Sequence, residues 1–255
     1  MSTFFWTLPK QNVKNLNKHA VVDLIRFTSG GISRIELSRQ MNLTRAAITT
    51  IVADLQSAGL VREIEAHYPS GRRPIVLEIN PERGHVIGID MGATHVTILI
   101  ADFSAKVVRE MDEPLDINDG PSICLSRIET LVKQILVEAG LTIKDISAIG
   151  AGVPGPVVEG GGVSGPPIMP GWDGYPIRDE LEIRFGVPVS LSNDAELGAI
   201  GEWAYGAGRG ERNLAYIKVG TGIGAGLLLD GQILRGASGS AGEIGHITID
   251  ENGPI

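Results

Sequence analysis

The 255-residue sequence contains a single cysteine, Cys124, so an intramolecular disulfide is impossible. That absence excludes a disulfide-stapled secreted scaffold and fits a reducing cytoplasm. No apolar run approaches the ~20 residues that cross a bilayer, so we expect no membrane partner. The first ten residues also lack the apolar core and small-residue cleavage pattern of a secretory signal. We therefore expect a cytoplasmic protein.

Charge is unevenly distributed along the chain. Residues 1–80 carry ten Lys/Arg and six Asp/Glu, whereas residues 81–255 carry twelve and twenty-four. A basic head on an acidic body favours an anionic partner for the head, although a small domain can reach such a balance by chance. Composition changes at the junction Pro81–Gly84. We therefore predict two domains, 1–80 and 84–255.

Residues 1–80 show helical spacing three times and strand patterns twice. Ser33-Arg34-Ile35-Glu36 has the form of a capping box, and Thr44 is a plausible N-cap for the third helix. The predicted elements are helices over Leu16–Phe27, from Arg34 to about Met41 and from Arg45 to Ala58, then strands over Leu60–Glu65 and Pro74–Ile79. This is the element order of a winged helix-turn-helix domain.

The third helix has one narrow apolar stripe, formed by Ile48, Ile51, Val52 and Leu55. The opposite side is small and hydroxyl-rich, which suits a helix laid into the major groove of DNA. The candidate DNA-binding residues are Thr44, Arg45, Ala46, Thr49 and Thr50 on this helix, and Arg72 and Arg73 at the tip of the hairpin. The alternative is a docking module with solvated threonines. The joint occurrence of capping box, stripe and basic tip favours DNA binding.

The remaining sequence has the pattern of an α/β domain. Strands are predicted at His85–Asp90, Val96–Asp102, Lys106–Asp112, Ile146–Val153, Val187–Leu191, Leu214–Val219 and Ala225–Leu229, with helices at Ser122–Ala139, Ile177–Phe185 and Ala195–Ala204. The glycine-threonine turn from Gly220 to Gly226 lies between two apolar strands and would let backbone N–H groups approach a phosphate. Glu243 and His246 suit hydroxyl recognition or metal ligation. These features together predict a site for a sugar and a nucleotide.

Five ordered motifs resemble the ROK family of bacterial sugar kinases and sugar-responsive repressors. They are Gly88–Thr94, Gly152–Pro156, Asn193–Ala195, Gly220–Gly222 and Glu243–His246. The resemblance covers about residues 84–255 and implies an actin-like (ribonuclease H-like) fold of the ATPase-type sugar kinases. The predicted winged head is similar to the repressor branch, which includes xylose, glucose and N-acetylglucosamine regulators.

The resemblance also implies roles for individual residues. Asp90, Gly92, Thr94, Gly220, Thr221 and Gly222 would contact nucleotide phosphates and their metal. Asn193, Asp194, Glu243 and His246 would bind sugar hydroxyls, and Asp194 would be the general base of an active kinase. Plainer interpretations stay open. Asp194 could be a helix N-cap, the glycines could serve only turns and strand packing, and Trp172 could cover a sugar or be a buried anchor.

Two positions depart from the kinase pattern. Ala93 replaces a glycine, and its Cβ would crowd a phosphate, while His95 stands where the kinases commonly have a lysine. ATP and Mg²⁺ would therefore be cofactors only if kinase activity survives, and we expect a sugar sensor. The family implies zinc bound by the equivalent of His246 together with cysteines further downstream. The sequence stops at Ile255 before them, so we expect an incomplete second lobe, with strand residues such as Leu227–Leu229 poorly covered, in a fragment or a truncated product.

The leading hypothesis is a transcriptional repressor of carbohydrate metabolism genes that binds operator DNA, with a sugar or sugar phosphate in the kinase-like domain altering its affinity. A homodimer or higher homo-oligomer is expected, because operators are commonly palindromic. The alternative is an ATP-dependent, glucokinase-like sugar kinase with a regulatory DNA-binding head. A third possibility is a relic that binds DNA constitutively or only dimerises.

Overall fold

A computed structural model describes residues 13–65, 74–158, 160–165, 168–237 and 239–250. These residues form two compact units. One unit comprises the chain up to His85 together with Asp102–Lys106, and the other comprises Val86–Ala101 and the chain from Val107 onwards. Within the described ranges, we find no helix whose length and hydropathy would suffice to span a membrane.

The first unit has three helices followed by a β-hairpin. Its elements are α1 (Val13–Phe27), α2 (Arg34–Met41), α3 (Arg45–Ser57), β1 (Val61–Glu65) and β2 (Ile75–Ile79), with β1 and β2 antiparallel. The predicted capping box is confirmed, since Ser33 and Glu36 bond reciprocally at the start of α2. The predicted cap of α3 is confirmed as well, because the Ala47 N–H donates to Thr44 Oγ1 at 3.2 Å.

A small apolar core holds this unit together. The predicted stripe of α3 is confirmed, because all four of its residues are buried and pack with Val21, Ile25 and Leu37 from the other helices. The segment before α2 also joins the hairpin. Ile32 and Leu77 exchange backbone hydrogen bonds of 3.1 and 2.9 Å, a pairing that the sequence did not predict. This pairing attaches the helices to the hairpin.

The described residues of the second unit form two sheets and three α-helices. The strands are β3 (His85–Met91), β4 (His95–Asp102), β5 (Val107–Pro114), β6 (Ile146–Val153), β7 (Val189–Asn193), β8 (Leu214–Val219), β9 (Ile223–Leu229) and β10 (Gln232–Ile233), and the helices are α4 (Pro121–Glu138), α5 (Ile177–Phe185) and α6 (Asp194–Tyr205). One sheet has the strand order β5-β4-β3-β6-β7, and the other has the order β10-β9-β8. The fold is therefore mixed α/β, as expected.

Several strand ends differ from the predicted ones by one or two residues, and two strands begin two residues away from their predicted starts. Strand β7 begins at Val189 and not at Val187, because Pro188 between them has no N–H to donate to a ladder. Strand β9 begins at Ile223, two residues before the prediction. Pairing with β8 continues to Val219 opposite Ile223, so a segment interpreted as part of a turn is a regular ladder.

Trp172 is fully buried, and its indole Nε1 donates to the Ile117 carbonyl at 3.0 Å. Its ring packs edge-on against Tyr175, with 6.1 Å between the ring centroids. Of the two interpretations of Trp172, the buried anchor is therefore confirmed.

The second sheet has a partly uncovered apolar side. Ile217 and Val219 of β8 are 51% and 75% exposed, and Leu229 of β9 is 53% exposed. The expectation of poor cover for the end of β9 holds for Leu229 but is wrong for Leu228, which is fully buried. The difference follows from strand geometry, since successive side chains point to opposite faces.

Replacement of Gly226 tests how closely β9 packs on α6. A Cβ at this position would lie directly on the Ala195 carbonyl and 2.7 Å from the Ala199 methyl group. We expect Gly226→Ala to lower the free energy of unfolding by about 1–3 kcal/mol, because two backbones would have to separate. The measurement is thermal unfolding. Gly201→Ala on α6 is the matched control, as a Cβ there meets nothing within 4 Å. Equal melting temperatures for Gly226→Ala and the wild type would contradict this packing.

Candidate functional site

Residues that are far apart in the sequence line one cleft of about 390 Å³ in the second unit. The candidate residues in its wall are Gly92, Thr94, Asn193, Asp194, Gly220, Thr221, Gly222, Glu243 and His246. Parallel pairing of β6 and β7 places Val153 opposite Asn193. The loops that follow these strands therefore leave the sheet at one edge, which explains why Gly155 and Asp194 both reach the cleft.

The N-cap of α6 is Asn193 and not Asp194. Asn193 Oδ1 accepts from the N–H groups of Ala195 and Glu196, at 2.9 and 3.1 Å, and its Nδ2 donates to the Gly155 carbonyl at 3.1 Å. The interpretation of Asp194 as the cap is therefore wrong. Asn193 uses most of its hydrogen-bonding capacity within the protein, which leaves one amide N–H for a ligand.

Asp194 forms an ion pair that the sequence analysis missed. Lys218 Nζ lies 2.5 Å from Asp194 Oδ2, and the Asp194 side chain is only 9% exposed. The other carboxylate oxygen accepts from the Ala195 N–H at 2.7 Å. Lys218 lies on β8, where every second residue is exposed and Lys218 belongs to the less exposed set. A lysine within the largely apolar run 214–219 was the sequence feature that could have indicated a charged partner.

Asp90 lies beside this pair at the end of β3. A Cβ on Gly152 would be 3.1 Å from Asp90 Oδ1 and 3.7 Å from the Asp194 Cα, so this glycine separates the two residues. Although Asp90 remains solvent-accessible, the surrounding protein displaces water from its carboxylate and raises its pKa. Lys218 and His95 lower the pKa of Asp90, whereas the negative charge of Asp194 raises it.

The two predicted phosphate loops differ in how open they are. The Gly92 N–H donates to the His95 carbonyl at 2.8 Å, and a Cβ on Gly92 would lie 2.9 Å from His95 Cε1. The imidazole ring of His95 thus covers this glycine. By contrast, a Cβ on Gly220 or Gly222 would meet nothing within 4 Å, and neither has a positive φ. Neither close packing nor a left-handed backbone requires glycine at these two positions.

Glu243 and His246 lie on a short 3₁₀ turn, with 3.8 Å between Glu243 Oε2 and His246 Nε2. The Ala225 N–H donates to the Gly242 carbonyl at 2.8 Å, which holds the start of this segment against β9. In the part of the chain that the structure describes, no cluster of three or more metal-binding side chains occurs. Cys124 is a buried residue of α4. His246 and Glu243 by themselves do not supply the four ligands of a structural zinc site.

A second buried carboxylate was also missed. Glu196 is 5% exposed, accepts from Ser192 Oγ at 2.6 Å and pairs with Arg235 Nε at 3.3 Å. Arg235 follows β10, on the segment that leads to Glu243. This ion pair therefore ties that segment to α6.

The candidate DNA-binding residues of α3 share one exposed face in the first unit. Thr44, Arg45, Ala46, Thr49 and Thr50 are all exposed. The hydroxyl groups of Thr49 and Thr50 donate to the carbonyls of Arg45 and Ala46, at 2.8 and 3.1 Å. Arg72 and Arg73 lie outside the described residues.

Comparison with known proteins identifies the class of protein. The profile of the ROK family matches residues 86–255, and the chain belongs to this family. It is 34% identical to the xylose repressor of Caldicellulosiruptor bescii over 93% of this chain and 60% of that protein. It is 34% identical to a glucokinase of Halalkalibacterium halodurans over 66% of this chain and 51% of that protein.

A solved structure shows the same relationship. The crystal structure of a ROK family transcriptional regulator, described as a homologue of the Escherichia coli Mlc protein, superimposes with a TM-score of 0.75 at 28% identity. The match covers 95% of this chain and 61% of that one. The chain thus spans about 60% of the length of the repressors that it matches.

The raised pKa of Asp90 leads to a prediction about pH and stability. The folded chain holds this proton more tightly than the unfolded chain, so the stabilising contribution is complete below the ordinary value of 3.8 and is lost as the pH rises through the folded pKa. At pH 7 the ionised group therefore destabilises the fold. Asp90→Asn should raise the melting temperature at pH 7 and change it less at about pH 4. Asp112→Asn, exposed on β5, is the control. A lower melting temperature for Asp90→Asn at pH 7 would contradict this sign.

Proposed function

We propose that this chain is a cytoplasmic, sugar-responsive transcriptional repressor of carbohydrate metabolism genes. The observation that carries the proposal is the extent of the similarity. The xylose repressor and the Mlc homologue align over 93–95% of the chain, including the three helices and the hairpin, whereas the glucokinase aligns over 66%. We take residues 1–80 as a winged helix-turn-helix domain and residues 84–255 as an actin-like, kinase-derived sensor domain.

The exposed face of α3 supports DNA binding by the first unit. The face combines an arginine near the helix N-terminus with small and hydroxyl-bearing side chains, which can approach base edges in the major groove. The side chains on the opposite face of α3, such as Ile48 and Val52, are buried in the core of the unit. A rigid core behind a small polar surface is what a recognition helix requires. Arg72 and Arg73 would add phosphate contacts.

The cleft of the second unit supports binding of a polyhydroxylated ligand. Its wall contains carboxylates of Asp194 and Glu243, the ammonium of Lys218 and the imidazole of His246, which offer both acceptors and donors. Such groups discriminate among sugars, because a missing or inverted hydroxyl leaves a polar protein group without a partner. In the proposed mechanism, ligand binding favours one arrangement of the protein and so changes the affinity of a homodimer for a palindromic operator.

A sugar kinase is the second candidate function, favoured by the similarity to a glucokinase and by the location of Asp194 in the cleft. Two contacts in the cleft disfavour kinase activity. Asp194 is already bonded to Lys218, and His95 covers Gly92 in the loop expected to meet the phosphates. We therefore favour sensing over phosphoryl transfer.

Salt-dependent binding to duplex DNA tests the role of α3. A random-sequence duplex, titrated by fluorescence anisotropy at several salt concentrations, reports the number of phosphate contacts. We expect Arg45→Ala to weaken binding and to reduce the slope of log K against log salt by about 1. The matched control is Arg109→Ala, an exposed arginine on β5 of the second unit. Identical slopes for Arg45→Ala and the wild type would remove Arg45 from the interface.

Thermal shifts with a panel of sugars and sugar phosphates, including D-xylose and D-glucose, test the sensor. A ligand present at a hundredfold excess over its Kd should stabilise the chain by about 2.7 kcal/mol. Asp194→Asn should weaken that effect, whereas Asp112→Asn on β5 should preserve it. A coupled ADP-release assay on the same sugars tests the kinase alternative. Turnover in the wild type that Asp194→Asn abolishes would favour the kinase, and a panel without any shift would refute sugar sensing.

A further inference from the structure

In the second unit, the carboxylates of Asp90 and Asp194 lie near one ammonium group. Lys218 Nζ contacts Asp194 Oδ2 at 2.5 Å, and Asp90 lies on the other side of Gly152 from Asp194. Two carboxylates separated by the width of a glycine repel each other unless a cation lies near both. In this chain, that cation is the ammonium group of Lys218 on β8.

A divalent cation would serve the same two carboxylates differently. The kinases that the family includes are expected to use Mg²⁺ with ATP, and Mg²⁺ in proteins is typically held by one or two carboxylates and by substrate phosphates. Such an ion needs direct access to carboxylate oxygens. Here Asp194 Oδ2 accepts from the ammonium and Oδ1 accepts from the Ala195 N–H. The positive charge of Lys218 beside Oδ2 would repel a second cation, so the residues present do not fit a divalent cation at Asp194.

We propose that the Lys218 ammonium takes the place of a divalent cation between Asp90 and Asp194, so that the cleft binds its ligand without a metal. The side chain of Lys218 is 35% exposed, so it can also donate to an oxygen atom of a ligand in the cleft. Lys218 thus contributes to the choice of ligand. Its ammonium group offers a hydrogen-bond donor beside Asp194, the carboxylate that would be the general base of a kinase.

The same contact would oppose phosphoryl transfer through Asp194. A general base must accept a proton from the sugar hydroxyl through a carboxylate oxygen. Both oxygens of Asp194 already accept hydrogen bonds within the protein, one of them from a positive charge. A hydroxyl group that approaches Asp194 must compete with Lys218. This inference deepens the proposed function, and its test uses neither sugar nor DNA, so the two can fail separately.

Titration with Mn²⁺, followed by the electron paramagnetic resonance signal of the free ion, tests the proposal on the 255-residue chain. The wild type should bind Mn²⁺ weakly. Lys218→Met should leave Asp90 and Asp194 without their cation, and we expect its affinity for Mn²⁺ to rise by roughly tenfold or more. Lys218→Arg keeps the positive charge and should behave like the wild type. The double variant Lys218→Met/Asp90→Asn should lose the gained affinity.

Circular dichroism establishes that each variant is folded, and Lys218→Gln replaces Lys218→Met if the latter is not. Equal Mn²⁺ affinity in the wild type and in a folded variant without the charge would overturn the proposal. Gained affinity that persists when Asp90 is also replaced would overturn it too, because the ion would then bind elsewhere. A wild type whose tight Mn²⁺ binding is lost in Asp90→Asn would refute it without any Lys218 variant.

Discussion

The approach of β9 to the first turn of α6 is the constraint on which the cleft depends. At Gly226, the strand backbone lies so close to the Ala195 carbonyl that no side chain fits between them. This contact joins the three-stranded sheet to the helix that follows the five-stranded sheet. As a result, a lysine on β8 reaches a carboxylate at the start of α6, and the cleft acquires walls from both sheets.

The first turn of α6 carries two carboxylates that form ion pairs with distant residues. Asn193 accepts from two of the N–H groups at the N-terminus of α6, while Asp194 faces Lys218 and Glu196 faces Arg235. Carboxylates near a helix N-terminus are also favoured by the helix dipole. Both ion pairs connect α6 to the smaller sheet or to the segment after it. A buried carboxylate without its cation would be costly, so these pairs hold the elements in place as well as shaping the site.

Local patterns predicted much of the fold. The capping box at Ser33, the cap at Thr44 and the stripe of α3 depend on neighbours within a few residues, and each occurs as expected. Apart from the start of β7, which Pro188 sets locally, the features that the sequence analysis missed depend on a distant segment. The backbone of Ile32 exchanges two hydrogen bonds with that of Leu77, which lies 45 residues away in the sequence. Strand β9 begins before its predicted start because β8 pairs with it as far as Val219. Spacing alone carries no information about such partners.

Ordered glycine, carboxylate and capping patterns were enough to place the chain among ROK-family α/β proteins with an N-terminal three-helix unit, because such patterns depend on residue type and spacing. Which side chains meet became visible in the folded chain. It buried Trp172 as an anchor, made Asn193 the cap instead of Asp194, and brought Lys218 against that carboxylate. Ion pairs and burial depend on distances in space, and here those distances follow from the close packing of β9 on α6 at Gly226.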